Sequence, residues 1–182
     1  MKILGISGSL RADSFNTALL RIAQKVAPAG MEIEIADIKA FPVYDEDIYV
    51  NGFPDAVATF RAQIAAADGF LFATPEYNYG MSGVIKNAID WASRPPEQPF
   101  DGKAMAMLGA SAGKLGTALA QQQLRQVLVG LNGQIATKPQ VFIGGAFQAF
   151  DENGALLDDT ANGLIGQLLV SLQELCQRTA AA

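Results

Sequence analysis

The feature that most constrains this chain is a regular exchange between two hydrophobic periods. Short, nearly continuous apolar runs suit strands buried on both faces, and they alternate with stretches whose apolar residues recur every three or four positions. The first run, Lys2–Ile6, leads to Phe15, Leu19, Ile22 and Val26, a helical spacing closed by Pro28 and Gly30. Met31, Ile33 and Ile35 then alternate with Glu32 and Glu34, the pattern of a half-exposed edge strand. Val57, Phe60 and Ile64 mark a second helix, and GFLFAT at 69–74 is a buried strand stopped by Pro75. A helix carrying Val84, Ile85, Ala88, Ile89 and Ala92 ends at Pro95 and Pro96. KAMAMLGA at 103–110 predicts a fourth strand, followed by a helix with Leu124, Val127, Leu128 and Leu131. PQVFI at 139–143 predicts the fifth strand, and Leu164, Leu168, Leu172 and Leu175 the last helix. The stretch DIKAFPVYDEDIYVNG, polar and broken by proline and glycine, reads as irregular.

Five strands alternating with five helices predict one α/β domain over residues 1–182, with a parallel sheet covered on both faces. Half of the residues are hydrophobic, enough for a well-buried core in a chain of 182. Five parallel strands fit the flavodoxin-like, doubly wound order 2-1-3-4-5, whose topological switch point lies between strands 1 and 3. Ligands of such sheets bind at the carboxyl ends of the flanking strands, so the loops after Ile6 and Thr74 are expected to form the site.

Composition narrows the chemistry. The chain has no histidine and a single cysteine, Cys176, which leaves no imidazole base, no nitrogen and sulfur metal cage and no internal disulfide. The cysteine lies in a helical pattern, where a buried or inert thiol is expected, and its solitude suits a reducing cytoplasm. MKILGISGSL is too short and too broken for a signal sequence or a membrane span. The net charge of −5 and the scattered basic residues argue against nucleic acid as a partner.

The loop GSLRADSFN at 8–16 offers Ser9, Arg11, Ser14 and Asn16 together with the unpaired N–H groups of a helix start, a combination suited to an anion. The plainer alternative makes Ser14 a helix cap and Arg11 a surface charge. Gly5 and Gly8 do not make the G-x-G-x-x-G of a dinucleotide loop. The run from Gly109 to Gly113-Lys114-Leu115 is one residue short of a Walker loop and lacks its hydroxyl. PEYNYG at 75–80 pairs the flat faces of Tyr77 and Tyr79 with the polar Asn78, which suits a planar heterocycle or, equally, packing against its own helix or another subunit. GASAG at 109–113 has the G-x-S-x-G form of a nucleophile elbow, but without histidine Ser111 lacks a base. It reads instead as a small-residue loop that lets backbone approach a ligand.

Together, GSLRADSFN and PEYNYGMSGVIKNAIDWASRP at 75–95 resemble the NADPH-dependent FMN reductase family, within it the chromate and quinone reductase branch, over nearly the whole chain. The resemblance implies bound FMN, with its phosphate wrapped by Ser9, Arg11, Ser14, Phe15 and Asn16. It implies an isoalloxazine lying along Pro75, Glu76, Tyr77 and Asn78, with Ser111 and Gly113 on a third flavin-side loop. It further implies NAD(P)H as co-substrate, a quinone, chromate or similar small electron acceptor, and a homodimer or homotetramer with the helix from Val84 through Trp91 contributing near the flavin. The segment 41–53 and the tail after Phe147 match the family loosely. No side chain is needed as acid or base, because the cofactor carries the electrons. Two other readings are a flavodoxin-type electron carrier and a nucleotide-binding regulatory domain without turnover.

Overall fold

The computed structural model describes residues 1–181. It runs through β1 (Lys2–Ser7), α1 (Phe15–Val26), β2 (Glu32–Ile35), α2 (Glu46–Tyr49), α3 (Asp55–Ala66), β3 (Gly69–Ala73), β4 (Glu76–Tyr77), β5 (Gly80–Met81) and α4 (Gly83–Ala92). It continues with β6 (Ala104–Ala110), α5 (Ala118–Gly130), β7 (Gln134–Ile135), β8 (Val141–Ile143), α6 (Ala146–Ala149) and α7 (Asp159–Ala180). The central sheet is parallel in the order β2-β1-β3-β6-β7, with β8 also pairing to β6. The chain order therefore reverses between β1 and β3, as the strand pattern predicts.

The fifth strand differs from its expectation. Its position beside β6 is shared by two short pieces: β7 pairs with the start of β6 (Ala104↔Gln134) and β8 with its end (Leu108↔Val141). Proline cannot donate to a ladder, and Pro139 falls between the pieces, so pairing resumes only at Val141.

Alternation along the strands sorts the core into two layers. From β6, Ala104, Ala106, Leu108 and Ala110 face α1 and α7, while Met105 and Met107 face the layer of α3, α4 and α5. In β3, Leu71 and Ala73 join the first layer and Phe70 and Phe72 the second. Both layers are built from buried side chains, so the central strands β1, β3 and β6 are covered on both faces, while the edge strands β2 and β7 keep Glu32, Glu34 and Gln134 in water.

The acidic stretch read as irregular contains the short helix α2, and α4 holds the segment before it. The Asn87 side chain accepts from the Tyr44 N–H (2.7 Å) and donates to the Pro42 carbonyl (2.8 Å), which also accepts from the Trp91 indole (2.9 Å). At the end of α2, Tyr49 donates to the Pro95 carbonyl, and beyond it the Arg61 guanidinium lies 4.3 Å from the centre of the Phe53 ring. These partners are remote in sequence, which is why local polarity alone gave no sign of order there. Among the described residues no helix is long and apolar enough to cross a membrane.

Candidate functional site

Three loops leave the carboxyl ends of β1, β3 and β6, and backbone contacts lock them together. Gly8 donates its N–H to the Ala73 carbonyl at 2.8 Å. A Cβ at Gly8 would stand 2.7 Å from Ile85 Cδ1 and 2.8 Å from both Pro75 Cδ and Ser82 Oγ, so only glycine lets the first loop rest on the second. A Cβ at Gly109 would lie 2.2 Å from the Thr74 carbonyl oxygen and 2.4 Å from Thr117 Oγ1, which presses the second loop against the third. Thr74 itself donates its N–H to the Leu108 carbonyl at 3.0 Å.

The first loop carries the predicted anion residues. Ser14 caps α1 by accepting from the Thr17 N–H, and Ser7 Oγ bonds Thr17 Oγ1 at 2.9 Å. Ser9 is half-buried and accepts from the Arg11 N–H at 3.5 Å, while the exposed Arg11 guanidinium folds back to the Asp13 carbonyl at 2.6 Å. Phe15 sits in an aromatic group, stacked on Phe150 and edge-on to Phe147, with Arg11 5.4 Å from its centre. The N–H groups of Leu10, Ala12, Asp13, Ser14, Phe15 and Asn16 have no acceptor among the described residues. Open donors at and just before a helix start are groups that suit an anion, and here they come from the backbone more than from the side chains.

Asn16 is placed differently from the other predicted phosphate residues. Its side chain is buried, and both ends of its amide are committed to Ala110: one donates to the carbonyl and the other accepts the N–H, each at 3.0 Å. Asn16 therefore ties the start of α1 to the end of β6, and only its backbone faces the cradle.

The second loop is a hairpin, β4 paired with β5, and its turn residues Asn78 and Tyr79 both have positive φ (51° and 63°). That is the left-handed geometry of a two-residue hairpin turn, unusual for a tyrosine. Pro75 is buried at its root, while Tyr77 and Tyr79 are 53% and 75% exposed. Glu76 Oε2 accepts from the Leu119 and Ala120 N–H groups at 2.9 and 3.0 Å. The third loop folds under itself: Ser111 Oγ donates to the Gly116 carbonyl, and the Gly145 N–H donates to the Gly113 carbonyl at 3.2 Å. Ser111 is thus fixed within its turn; Gly113 is exposed, and with its carbonyl taken up by Gly116 and Gly145 it leaves only its N–H open to the shelf between the loops.

Sequence reasoning did not identify Gly8, Thr74, Gly109 and Thr117 as the parts that assemble these loops. Gly109 carried a signal, since a glycine at the end of an otherwise apolar strand marks a close backbone approach. The predicted interface helix is corrected in part: Trp91 is fully buried and bonded to Pro42, so it is unavailable to another subunit. Concavities lie beside the shelf, one of about 650 Å³ along the outer face of α1 and one of about 510 Å³ behind Leu10. Among the described residues no group of three His, Cys, Asp or Glu could hold a metal ion.

Residues 1–148 match the family model of the NADPH-dependent FMN reductases. An NAD(P)H-dependent FMN reductase of Pseudomonas aeruginosa is 61% identical over 173 residues, covering 95% of this chain and 94% of that protein. A quinone reductase of Escherichia coli is 41% identical, covering 98% of this chain and 96% of that protein. Among solved structures, a flavoenzyme NAD(P)H:(acceptor) oxidoreductase from Paracoccus denitrificans superposes with a TM-score of 0.88 at 31% identity, over 97% of both chains. The matched span contains all three loops of the shelf, and the chain belongs to the NADPH-dependent FMN reductase family of oxidoreductases.

Proposed function

We propose that this chain passes electrons from NAD(P)H, by way of bound FMN, to a quinone, chromate or similar small acceptor. The observation that carries the reading is the joining, at one switch point, of a cradle of unpartnered N–H groups and an exposed aromatic hairpin. The shelf fits a mononucleotide with a planar ring: one end offers donors to a phosphate and the other flat faces and backbone edges, and the glycines between them hold the loops close together. When bound, FMN supplies the electron chemistry, accepting hydride from NAD(P)H and releasing electrons to an oxidant.

The chain's own residues bind and orient. Ser9, Ser14 and the N–H groups of Phe15 and Asn16 hold the phosphate, and Arg11 matches it with a guanidinium fork that lysine cannot reproduce. Asn16 works through its backbone, its side chain holding α1 to β6. Pro75, Tyr77 and Asn78 with Ser111 and Gly113 bound the ring, and Tyr77 limits access to it. The absence of histidine is consistent with a reaction in which no side chain shuttles a proton.

Exposed Tyr77, Tyr79, Leu115, Leu119 and Phe147 support self-association beside the shelf, as a homodimer or homotetramer, read by light scattering. The single buried thiol supports a cytoplasmic setting. The names of the relatives favour a reductase over the electron-carrier alternative. NAD(P)H oxidation by FMN-loaded protein with a quinone tests the proposal: multiple turnovers are expected, and a carrier or regulatory domain would show none.

A further inference from the structure

The β4–β5 hairpin is too small to hold its own shape. It pairs two residues with two, and both of its turn residues occupy the left-handed region without being glycine. Its anchors come from one place, helix α5. Glu76 Oε2 accepts from Leu119 and Ala120, and the Met81 N–H donates to Gln123 Oε1 at 3.0 Å. Gly80 lies so near Gln123 that a Cβ there would meet Oε1 at 2.7 Å.

The helix needs the hairpin in return. Its cap residue Thr117 makes no side-chain capping bond, and its first turn contains no acidic residue. The helical ladder begins with the Gln121 N–H on the Thr117 carbonyl, so the N–H groups before it require an outside acceptor. Glu76 supplies that acceptor, and its negative charge sits at the positive end of the helix dipole. Helix α5 also starts where the 111–116 turn ends, a turn closed by Ser111 on the Gly116 carbonyl.

From this arrangement we propose that Glu76 is a positioning residue that joins the two flavin-side loops into one rigid body. Its carboxylate is engaged with α5, and it acts on the reaction by fixing the height and tilt of Tyr77 and Asn78 relative to Ser111 and Gly113. The inference rests on the reading that FMN is seated between those loops.

The test uses FMN-loaded wild type, Glu76→Ala, Glu76→Gln and Gln123→Ala. Glu76→Ala is expected to lower kcat with a quinone about tenfold to a hundredfold, as a small misplacement of a binding loop does. It is also expected to shift the flavin midpoint potential and visible spectrum, and to remove hydrogen-exchange protection at the Leu119 and Ala120 amides in the apo protein. Glu76→Gln keeps an acceptor oxygen and should recover most of each loss. Gln123→Ala, which releases the other end of the clasp, should move potential and kcat in the same direction by less. If Glu76→Ala leaves kcat and the flavin potential at their wild-type values, the proposal is overturned. It is overturned equally if Gln123→Ala leaves the potential unmoved, or if Glu76→Ala keeps the amides protected. A different result, FMN bound with a spectrum insensitive to Tyr77→Ala as well, would overturn the flavin seating itself.

Discussion

Where β1 begins, the Lys2 N–H donates to the Asp68 carboxylate at 2.7 Å, the Asp68 N–H returns to the Lys2 carbonyl at 2.8 Å, and Lys103 Nζ donates to the Ala67 carbonyl at 2.6 Å. Where β1 ends, the N–H groups from Leu10 to Asn16, apart from Arg11, find no acceptor among the described residues. One end of the sheet answers its polar groups from within the chain, and the other holds them ready for something else. Both ends are equally well packed beneath, since Ile3, Phe70 and Ala104 at the first and Ile6, Ala73 and Leu108 at the second are all buried. The open donors at the carboxyl end are therefore unmade hydrogen bonds over a packed core, not a sign of loose packing.

Substitutions break this contrast by different amounts. The largest effect is expected from Gly109→Ala, whose Cβ would collide with the Thr74 carbonyl oxygen at 2.2 Å. A backbone clash of that kind should cost about 3 kcal/mol of stability in denaturant melts. Gly113→Ala on the same loop meets only Ser111 Oγ at 3.8 Å and should change stability by less than about 0.5 kcal/mol. Asn16→Ala should cost about 2 to 3 kcal/mol, because it leaves the Ala110 N–H and carbonyl buried without partners.

Arg11→Ala should leave the apo melting temperature almost unmoved and weaken FMN binding by about 2 kcal/mol in a fluorescence titration, the size of a charge-assisted hydrogen bond. Undiminished flavin affinity in that variant would leave the cradle to the backbone alone. The closed end is probed by pH. Burial, helped by the Asp68 carboxylate, raises the Cys176 thiol from 9.0 to about 11. The folded protein keeps that proton in a range where the unfolded chain releases it, so the stabilisation is complete below pH 9 and lost as pH rises through 11. Wild type should lose about 2 kcal/mol more than Cys176→Ala across that window, measured by urea midpoints. Tyr77→Ala likewise should change stability by less than about 0.5 kcal/mol because its ring is exposed, while acceptor kinetics should change. Acceptor kinetics equal to wild type would reduce the hairpin to a structural element.

Much of the fold was legible because its signals are local. The apolar runs at 2–6, 69–74 and 103–110 and the helical spacing from Phe15 to Val26 each report burial within a few residues, and their alternation restricts the topology. The split between β7 and β8 was hidden, since Gln134 and Ile135 are too few to show a period. The order of the 37–52 segment was hidden for another reason: Tyr44 is held by Asn87, and Tyr49 by the Pro95 carbonyl. At the site, the residue types around Arg11 and Tyr77 marked the two loops, but the roles within them were not readable. Glu76 reads as a residue along the flavin ring until α5 is beside its carboxylate, and the Asn16 side chain as a phosphate ligand until Ala110 takes both ends of its amide.

The sequence alone determined which segments are buried, in what order strands and helices follow, and that acid–base chemistry by histidine is absent. Those properties depend on residue identity and short-range periodicity. Tertiary structure decided which carbonyl, amide or carboxylate each loop residue meets, how closely the three loops approach, and which donors remain open. Those depend on distances between segments remote in sequence, 94 positions apart for Asn16 and Ala110, and only the closed sheet sets such distances.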